Sequence, residues 1–178
     1  FERVEDYPVD PIMIGAEYFA QDPRADKLNL TVGIYQDAQG RTPVLEAVKR
    51  AEARLVETQA TKSYLALTGD ADYGRLLGAE ILGPAHGPGW VTAQTSGGAV
   101  ALRVMAELLA QMPEPATIWL QTPTYGNYVP ILTAARARFA SVPYYDPLRR
   151  EITFERMLDG LKSAKPGDVF LFQGVCHN

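Results

Sequence analysis

The sequence ends with 168-DVFLFQGVCHN-178, an apolar run followed by the polar pair His177-Asn178. A short, uninterrupted apolar run of this kind is typical of a strand buried in a sheet. Open α/β sheets bind their ligands outside the carboxyl ends of their strands. A buried strand that leads to Asn178 therefore predicts that this residue belongs to a binding site.

Upstream of this run, strand-like and helical segments alternate. Apolar runs predict strands at 90–94, 117–121 and 139–144, in addition to 168–172. Helical spacing between them predicts helices at 98–112, 127–136 and 154–163. Alternation at this spacing indicates an α/β fold with a mainly parallel sheet covered by helices on both faces.

The first part of the chain has a different organisation. The elements predicted before residue 90 are, in order, a helix at 12–20, a β-like segment at 27–35, a turn at 37–40, an amphipathic helix opened by Pro43 and reaching Thr58, and a helix at 71–82. We therefore divide the chain into an N-terminal arm, residues 1–43, and an α/β part, residues 44–178.

Composition excludes several classes of function. Seventeen Lys and Arg against 21 Asp and Glu give a net charge of −4, and no basic run is present to follow a phosphate backbone, so we expect no nucleic-acid partner. No apolar run of membrane-spanning length occurs, so no membrane association is expected. The single cysteine, Cys176, excludes an internal disulfide and favours a reducing cytoplasm. His86 lacks a neighbouring candidate ligand, and no metal site is predicted.

A glycine turn lies between a predicted strand and the helix at 98–112. It reads Thr95-Ser96-Gly97-Gly98-Ala99, and the N–H groups of its last three residues are expected to be free at a positive helix end. Glycine allows a phosphate to approach the backbone without a side chain in the way. Taken alone, the turn is more typical of a tight strand-to-helix connection that binds nothing.

A second loop follows the strand predicted at 117–121. It contains Tyr125 and Tyr128 in the sequence 122-TPTYGNY-128. Because the carboxyl ends of parallel strands meet at one edge of a sheet, this loop and the glycine turn are expected to contact the same ligand. The alternative is a turn rich in Pro and Gly that carries exposed aromatic side chains.

These motifs resemble those of the pyridoxal-phosphate aminotransferases of the aspartate and aromatic amino acid group. The resemblance rests on Tyr64-Leu65, on the glycine turn, on the His177-Asn178 ending and on the segment 29-NLTVGIY-35. It implies a fold-type I transferase with a seven-stranded mixed sheet in its large domain, of which residues 44–178 would form the first part. Residues 1–43 would then be an arm and a segment of the small domain.

The resemblance also implies roles for individual residues. The cofactor pyridoxal 5'-phosphate would be bound by Gly97, Gly98, Ala99, Tyr125, Asn178 and Tyr64. Tyr64 would reach the cofactor phosphate of the other subunit, which implies a homodimer. Gly33, Tyr125 and Asn178 would contact an amino acid or 2-oxo acid substrate. At Ala99, Tyr128 and Gln173 the sequence departs from the family pattern, which has a hydroxyl residue, a His and a His there.

The resemblance further implies transamination between an aspartate-like or aromatic amino acid and a 2-oxo acid. None of the five lysines follows a buried strand, so no catalytic residue is assigned. We expect the Schiff-base lysine and three further strands to lie beyond Asn178. Residues 1–178 alone are therefore expected to be inactive. Two alternatives stay open. One is a non-catalytic relative or fragment that binds a phosphate-bearing ligand or a partner, and the other is a self-contained flavodoxin-like binding domain.

Overall fold

The computed structural model describes residues 11–31, 33–174 and 177, which form parts of two units, Phe1–Ser63 and Tyr64–Asn178. The helices are α1 Pro11–Gln21, α2 Glu46–Thr58, α3 Ala71–Leu82, α4 Gly98–Ala110, α5 Tyr128–Ala134 and α6 Phe154–Leu161. The strands are β1 Thr117–Thr122, β2 Arg138–Pro143, β3 Tyr145–Asp146, β4 Glu151–Ile152 and β5 Val169–Leu171.

A parallel sheet organises the second unit. Its strand order is β2-β1-β5, and Ile118 of β1 lies opposite Phe139 of β2 and Val169 of β5. The central strand β1 places Ile118 and Leu120 in the core, as its apolar sequence predicts. Because all three strands run in the same direction, their carboxyl ends share one edge.

Helices cover both faces of this sheet. On one face, a buried cluster joins α4, β1 and α5 through Ala106, Ile118, Leu120, Leu132 and Ala135. On the other face, α6 packs against β2. Met157 of this helix is buried, and Gly160 approaches Val142 of β2 closely. The prediction of a parallel α/β sheet with helices is confirmed.

The strand predicted at 90–94 is wrong. None of these residues lies in a strand, and the backbone N–H of Gln94 donates to the carbonyl of Thr68 at 2.9 Å. The Gln94 side chain also accepts a hydrogen bond from the Asp70 N–H at 3.0 Å. An extended apolar segment becomes a strand only when another strand pairs with it, and here its hydrogen bonds hold a turn instead.

A short antiparallel hairpin between β2 and α6 was not predicted. It pairs Tyr145 with Ile152 and Asp146 with Glu151. The Asp146 carboxylate accepts hydrogen bonds from the backbone of Leu148 and Arg149, and Arg150 closes the turn with a φ of 57°. Two-residue strands are too short for an alternating pattern to reveal them.

The first unit contains α1, α2 and a tight turn between them. The predicted turn at 37–40 is confirmed: Gly40 has a φ of 72°, and the Asp37 carboxylate accepts bonds from the Gln39 and Arg41 N–H groups. The β-like segment predicted at 27–35 forms no strand in its described residues. Helix α2 is amphipathic as predicted, but none of its side chains is buried.

Among the described residues, no helix combines the length and the apolar character needed to cross a bilayer.

Candidate functional site

An open cleft lies at the carboxyl edge of the sheet. Its volume is about 570 Å³, and its lining comes from the start of α4, the loop after β1 and the residues after β5. The lining residues are Gly98, Ala99, Leu102, Tyr125, Tyr128, Phe172, Gln173 and Gly174. The structure thus brings together Gly98, Ala99 and Tyr125, three of the residues that the sequence indicated for one ligand.

The glycine turn differs in one respect from the prediction. Gly97 precedes α4 with a φ of 91°, a conformation that favours glycine, but its N–H donates to the Thr95 carbonyl at 2.9 Å. The expectation of a free Gly97 N–H is therefore wrong, because the turn itself uses this donor. Gly97 is also not among the residues that line the cleft.

The N–H groups of Gly98 and Ala99 lie at the start of α4, and both residues line the cleft. They belong to the first turn of α4, where a helix has no carbonyl of its own to accept them. A Cβ atom built on Gly98 would have no heavy atom within 4 Å, so the space before this helix end is open. Helix ends of this kind attract anions.

Two tyrosines form one wall of the cleft. Tyr125 and Tyr128 are half-buried, their ring centroids lie 5.4 Å apart, and their ring planes are inclined by 83°. The Nδ2 of Asn127 donates to the Tyr125 hydroxyl at 2.8 Å. The sequence predicted that both rings lie near the ligand, but their contact with each other is a property of the fold.

The residues after β5 are connected to the loop that carries Tyr125. The Gln173 side chain donates to the Thr124 hydroxyl at 3.4 Å, and the His177 Nε2 contacts the Pro123 carbonyl oxygen. The His177 ring also packs on Tyr144, with 4.3 Å between ring centroids. Sequence analysis missed these contacts because they join residues far apart in the chain, for which local patterns give no signal.

Tyr64 is not among the residues that line this cleft. The Tyr64 side chain is fully exposed at the start of the second unit. Gly33 belongs to the first unit and is exposed, and a Cβ atom there would contact nothing within 4 Å. Asn178 lies outside the described residues. The roles assigned to these three residues stay predictions.

One strongly perturbed acid lies at the opposite, amino edge of the sheet. Asp168 accepts backbone hydrogen bonds from Lys165 and Thr117 and one from the Trp119 indole, each between 2.9 and 3.0 Å. The Lys165 N–H, then the Trp119 indole and the Thr117 N–H lower the pKa of Asp168 to about 2. This carboxylate connects the starts of β1 and β5 and therefore has a structural role.

Metal binding finds no support in the part of the chain that the structure describes. There, no group of three or more His, Cys, Asp or Glu side chains could hold a metal ion. His86 instead packs closely against Gly78 of α3.

Comparison with known families gives a match over most of the chain. The family described as aminotransferase class I and II matches residues 25–178. Among curated proteins, the chain is 38% identical to an aspartate aminotransferase of Haemophilus influenzae and 40% identical to an aromatic-amino-acid aminotransferase of Pseudomonas aeruginosa. Each alignment covers 100% of this chain and 46% or 45% of the relative, so the chain spans about half the length of these proteins.

Solved structures agree with this assignment. An aromatic amino acid aminotransferase from Psychrobacter, cocrystallised with aspartic acid, matches with a TM-score of 0.88 and 34% identity. The aromatic-amino-acid aminotransferase of Burkholderia pseudomallei, covalently bound to pyridoxal phosphate, gives the same values. Both matches cover 100% of this chain and 46% of the solved one.

Proposed function

Because this chain belongs to the class I and II aminotransferase family, we propose that the whole protein transfers an amino group between an amino acid and a 2-oxo acid, using pyridoxal phosphate. The observation that carries the proposal is the cleft at the carboxyl edge of the sheet. There, the open N-terminus of α4 and the aromatic wall formed by Tyr125 and Tyr128 face one space. An anionic group and a flat ring are the two features that such a pair of surfaces would bind.

The described residues fit this cofactor. A cleft of about 570 Å³ is within the range that holds small cofactors. The N–H groups of Gly98 and Ala99 would bind its phosphate, and Tyr125 would lie against its ring. When bound, pyridoxal phosphate supplies an electron sink for the α-carbon of the amino acid. The part of these residues is to bind and orient it.

The three departures from the family pattern all concern this region. Ala99 offers a methyl group, so the phosphate would depend on backbone donors and on donors from elsewhere. Tyr128 lines the cleft and packs against Tyr125, and Gln173 donates to Thr124. Tyr128 and Gln173 therefore each have a partner within the fold, and Ala99 lines a cleft that remains open. The family match over residues 25–178 supports a divergent aminotransferase more than a non-catalytic relative.

We include both aspartate-like and aromatic amino acids in the proposed substrate class. Named relatives of both kinds match the chain to a similar degree. Gly33 and Asn178 would contribute to substrate binding as the resemblance implies. A self-contained flavodoxin-like domain is not favoured, because the family match covers residues 25–178 with aminotransferases of about twice the length.

The proposed assembly is a homodimer in which Tyr64 reaches the cofactor phosphate of the other subunit. Its support is the position of Tyr64, whose side chain is fully exposed and therefore free to contact a second chain. Residues 1–43 would form the arm and small-domain segment, and residues 44–178 the first part of the large domain. The cytoplasmic location stays a prediction from the single cysteine.

The experiment that tests the proposed function uses the whole protein. After reconstitution with pyridoxal phosphate, we expect a visible absorbance band that aspartate or phenylalanine shifts and that 2-oxoglutarate restores. The amino acid that shifts the band at the lower concentration identifies the preferred substrate. A protein that gives no band, or a band that no amino acid changes, would contradict the proposal.

A further inference from the structure

Two tyrosines with different surroundings meet at the wall of the cleft. Tyr125 lies in the loop after β1, and Tyr128 is the first residue of α5. Their rings make an edge contact, with centroids 5.4 Å apart and planes inclined by 83°. Aromatic pairs favour this arrangement because the positive edge of one ring meets the negative face of the other.

Tyr128 is the better anchored of the two. It packs against the buried cluster that includes Leu132 of its own helix and Leu120 of β1. Its backbone N–H also donates to the Tyr125 carbonyl at 3.0 Å. The position of the Tyr128 ring is therefore set by the core of the second unit.

Tyr125 depends on its neighbours for its orientation. Its side chain makes an edge contact with the Tyr128 ring and accepts a hydrogen bond at 2.8 Å from the Nδ2 of Asn127. A loop side chain held at both its ring and its hydroxyl loses less rotamer freedom when a ligand arrives. Such preorganisation increases affinity without adding a contact to the ligand.

We propose that Tyr128 is a positioning residue. Its ring packs against the core and holds the Tyr125 ring in one orientation, and this fixes the wall of the cleft against which the cofactor ring lies. This role rests on the proposed function. It follows from the contact between the rings in this chain, where the family pattern has a His at position 128. Asn127 completes the restraint by holding the Tyr125 hydroxyl.

The test measures the dissociation constant of pyridoxal phosphate in the whole protein by absorbance titration, together with the visible circular dichroism of the bound cofactor. Tyr128→Leu removes the ring contact and is expected to weaken binding roughly two- to tenfold and to change the dichroism. Tyr128→Phe keeps the ring and is expected to restore both. Val129→Ala, on the exposed side of the same helix, is the matched control and should bind like the unchanged protein.

A double-mutant cycle separates positioning from general loosening of the fold. In a Tyr125→Leu background, Tyr128→Leu should cause little further loss, because the ring it positions is gone. Should Tyr128→Leu lower the melting temperature, Tyr128→Met is used in its place, since methionine adapts to irregular space.

The proposal is overturned if Tyr128→Phe binds as weakly as Tyr128→Leu, or if the loss is equal with and without Tyr125. Unchanged affinity and dichroism in Tyr128→Leu would overturn it as well, while leaving the proposed function intact. Absence of binding by the unchanged protein would instead reject the proposed function, and this role with it.

Discussion

At the scale of single residues, Asp168 shows how one carboxylate can hold two strands together. Its hydrogen bonds lower its pKa from an ordinary 3.8 to about 2. The ionised form is therefore favoured in the folded state, so its stabilising effect is present above about pH 4 and is lost as the pH falls toward 2.

We predict that Asp168→Asn lowers the free energy of unfolding of the whole protein at pH 7. The amide has one acceptor oxygen in place of two, so at least one of the donors Thr117, Trp119 and Lys165 loses its partner. The variant should also lose less stability than the unchanged protein between pH 4 and pH 2. Chemical unfolding across that range checks both statements.

Asp72→Asn is the control, because Asp72 is exposed and pairs only with the neighbouring side chain of Arg75 among the described residues. Such surface pairs contribute little. Equal stability of the two variants at pH 7 would contradict the structural role of Asp168.

Sequence analysis could identify residue types at this scale, but not their distant partners. The sequence places Asp168 at the start of an apolar strand, and no local pattern indicates its hydrogen bond with Thr117, 51 positions away. The glycine motif predicts a free N–H at Gly97, whereas in the structure this N–H donates to the Thr95 carbonyl. Hydrogen bonds within a loop depend on its dihedral angles, which the sequence specifies only in part.

At the scale of elements, α6 approaches β2 closely at one glycine. A Cβ atom on Gly160 would lie 2.8 Å from the Val142 Cγ1 and 3.4 Å from its Cβ. Real side chains do not tolerate the shorter distance, and Val142 is buried with a stiff branched side chain. Glycine at this position therefore sets how near the helix lies to the sheet.

Gly160→Ala is expected to destabilise the whole protein by about 1 to 2 kcal/mol. Overpacking costs about 1 to 3 kcal/mol, and the better helix propensity of alanine returns up to about 1 kcal/mol. Gly89→Ala is the control: its Cβ would meet nothing within 4 Å, and it should be neutral or slightly stabilising. Thermal unfolding of both variants distinguishes them, and a Gly160→Ala variant of raised melting temperature would show that α6 packs less closely.

Elements were predictable where local pattern and pairing agree. Three strands lie within two residues of their predicted bounds, namely those predicted at 117–121, 139–144 and 168–172. In an α/β fold, an apolar run between two helices is almost always a strand of the buried sheet. The segment at 90–94 has the same apolar pattern, but its backbone is hydrogen-bonded to a turn. The sequence of a segment does not specify whether another strand pairs with it.

At the scale of the whole molecule, the proposed dimer makes a prediction about Tyr64. Tyr64→Phe should weaken the retention of pyridoxal phosphate by about 1.5 to 3 kcal/mol, or about ten- to a hundredfold, through loss of one hydrogen bond to a charged group. With Ala99 in place of a hydroxyl residue, fewer donors share the phosphate, so the loss should fall toward the upper end.

Hybrid dimers reveal whether Tyr64 acts across subunits. A Tyr64→Phe subunit paired with one that lacks the cofactor-binding lysine has a single lysine-bearing site, which receives an intact Tyr64 from its neighbour. We expect this site to bind normally in an equilibrium titration. Binding as weak as in the Tyr64→Phe homodimer would mean that Tyr64 acts within its own subunit or has no role.

The sequence says less about what covers its exposed apolar surfaces at this scale. The sequence predicts an amphipathic α2, and the apolar residues Val48, Leu55 and Val56 of this helix are all exposed. An amphipathic pattern shows that a surface is suited to burial, but it does not specify what buries it.

The most direct test of the account is a crystal structure of the whole protein with pyridoxal phosphate. We predict that the phosphate lies within hydrogen-bond distance of the Gly98 and Ala99 N–H groups, and that the Tyr125 ring lies against the cofactor ring. A phosphate bound away from the start of α4, or a cofactor ring that does not contact Tyr125, would contradict the account.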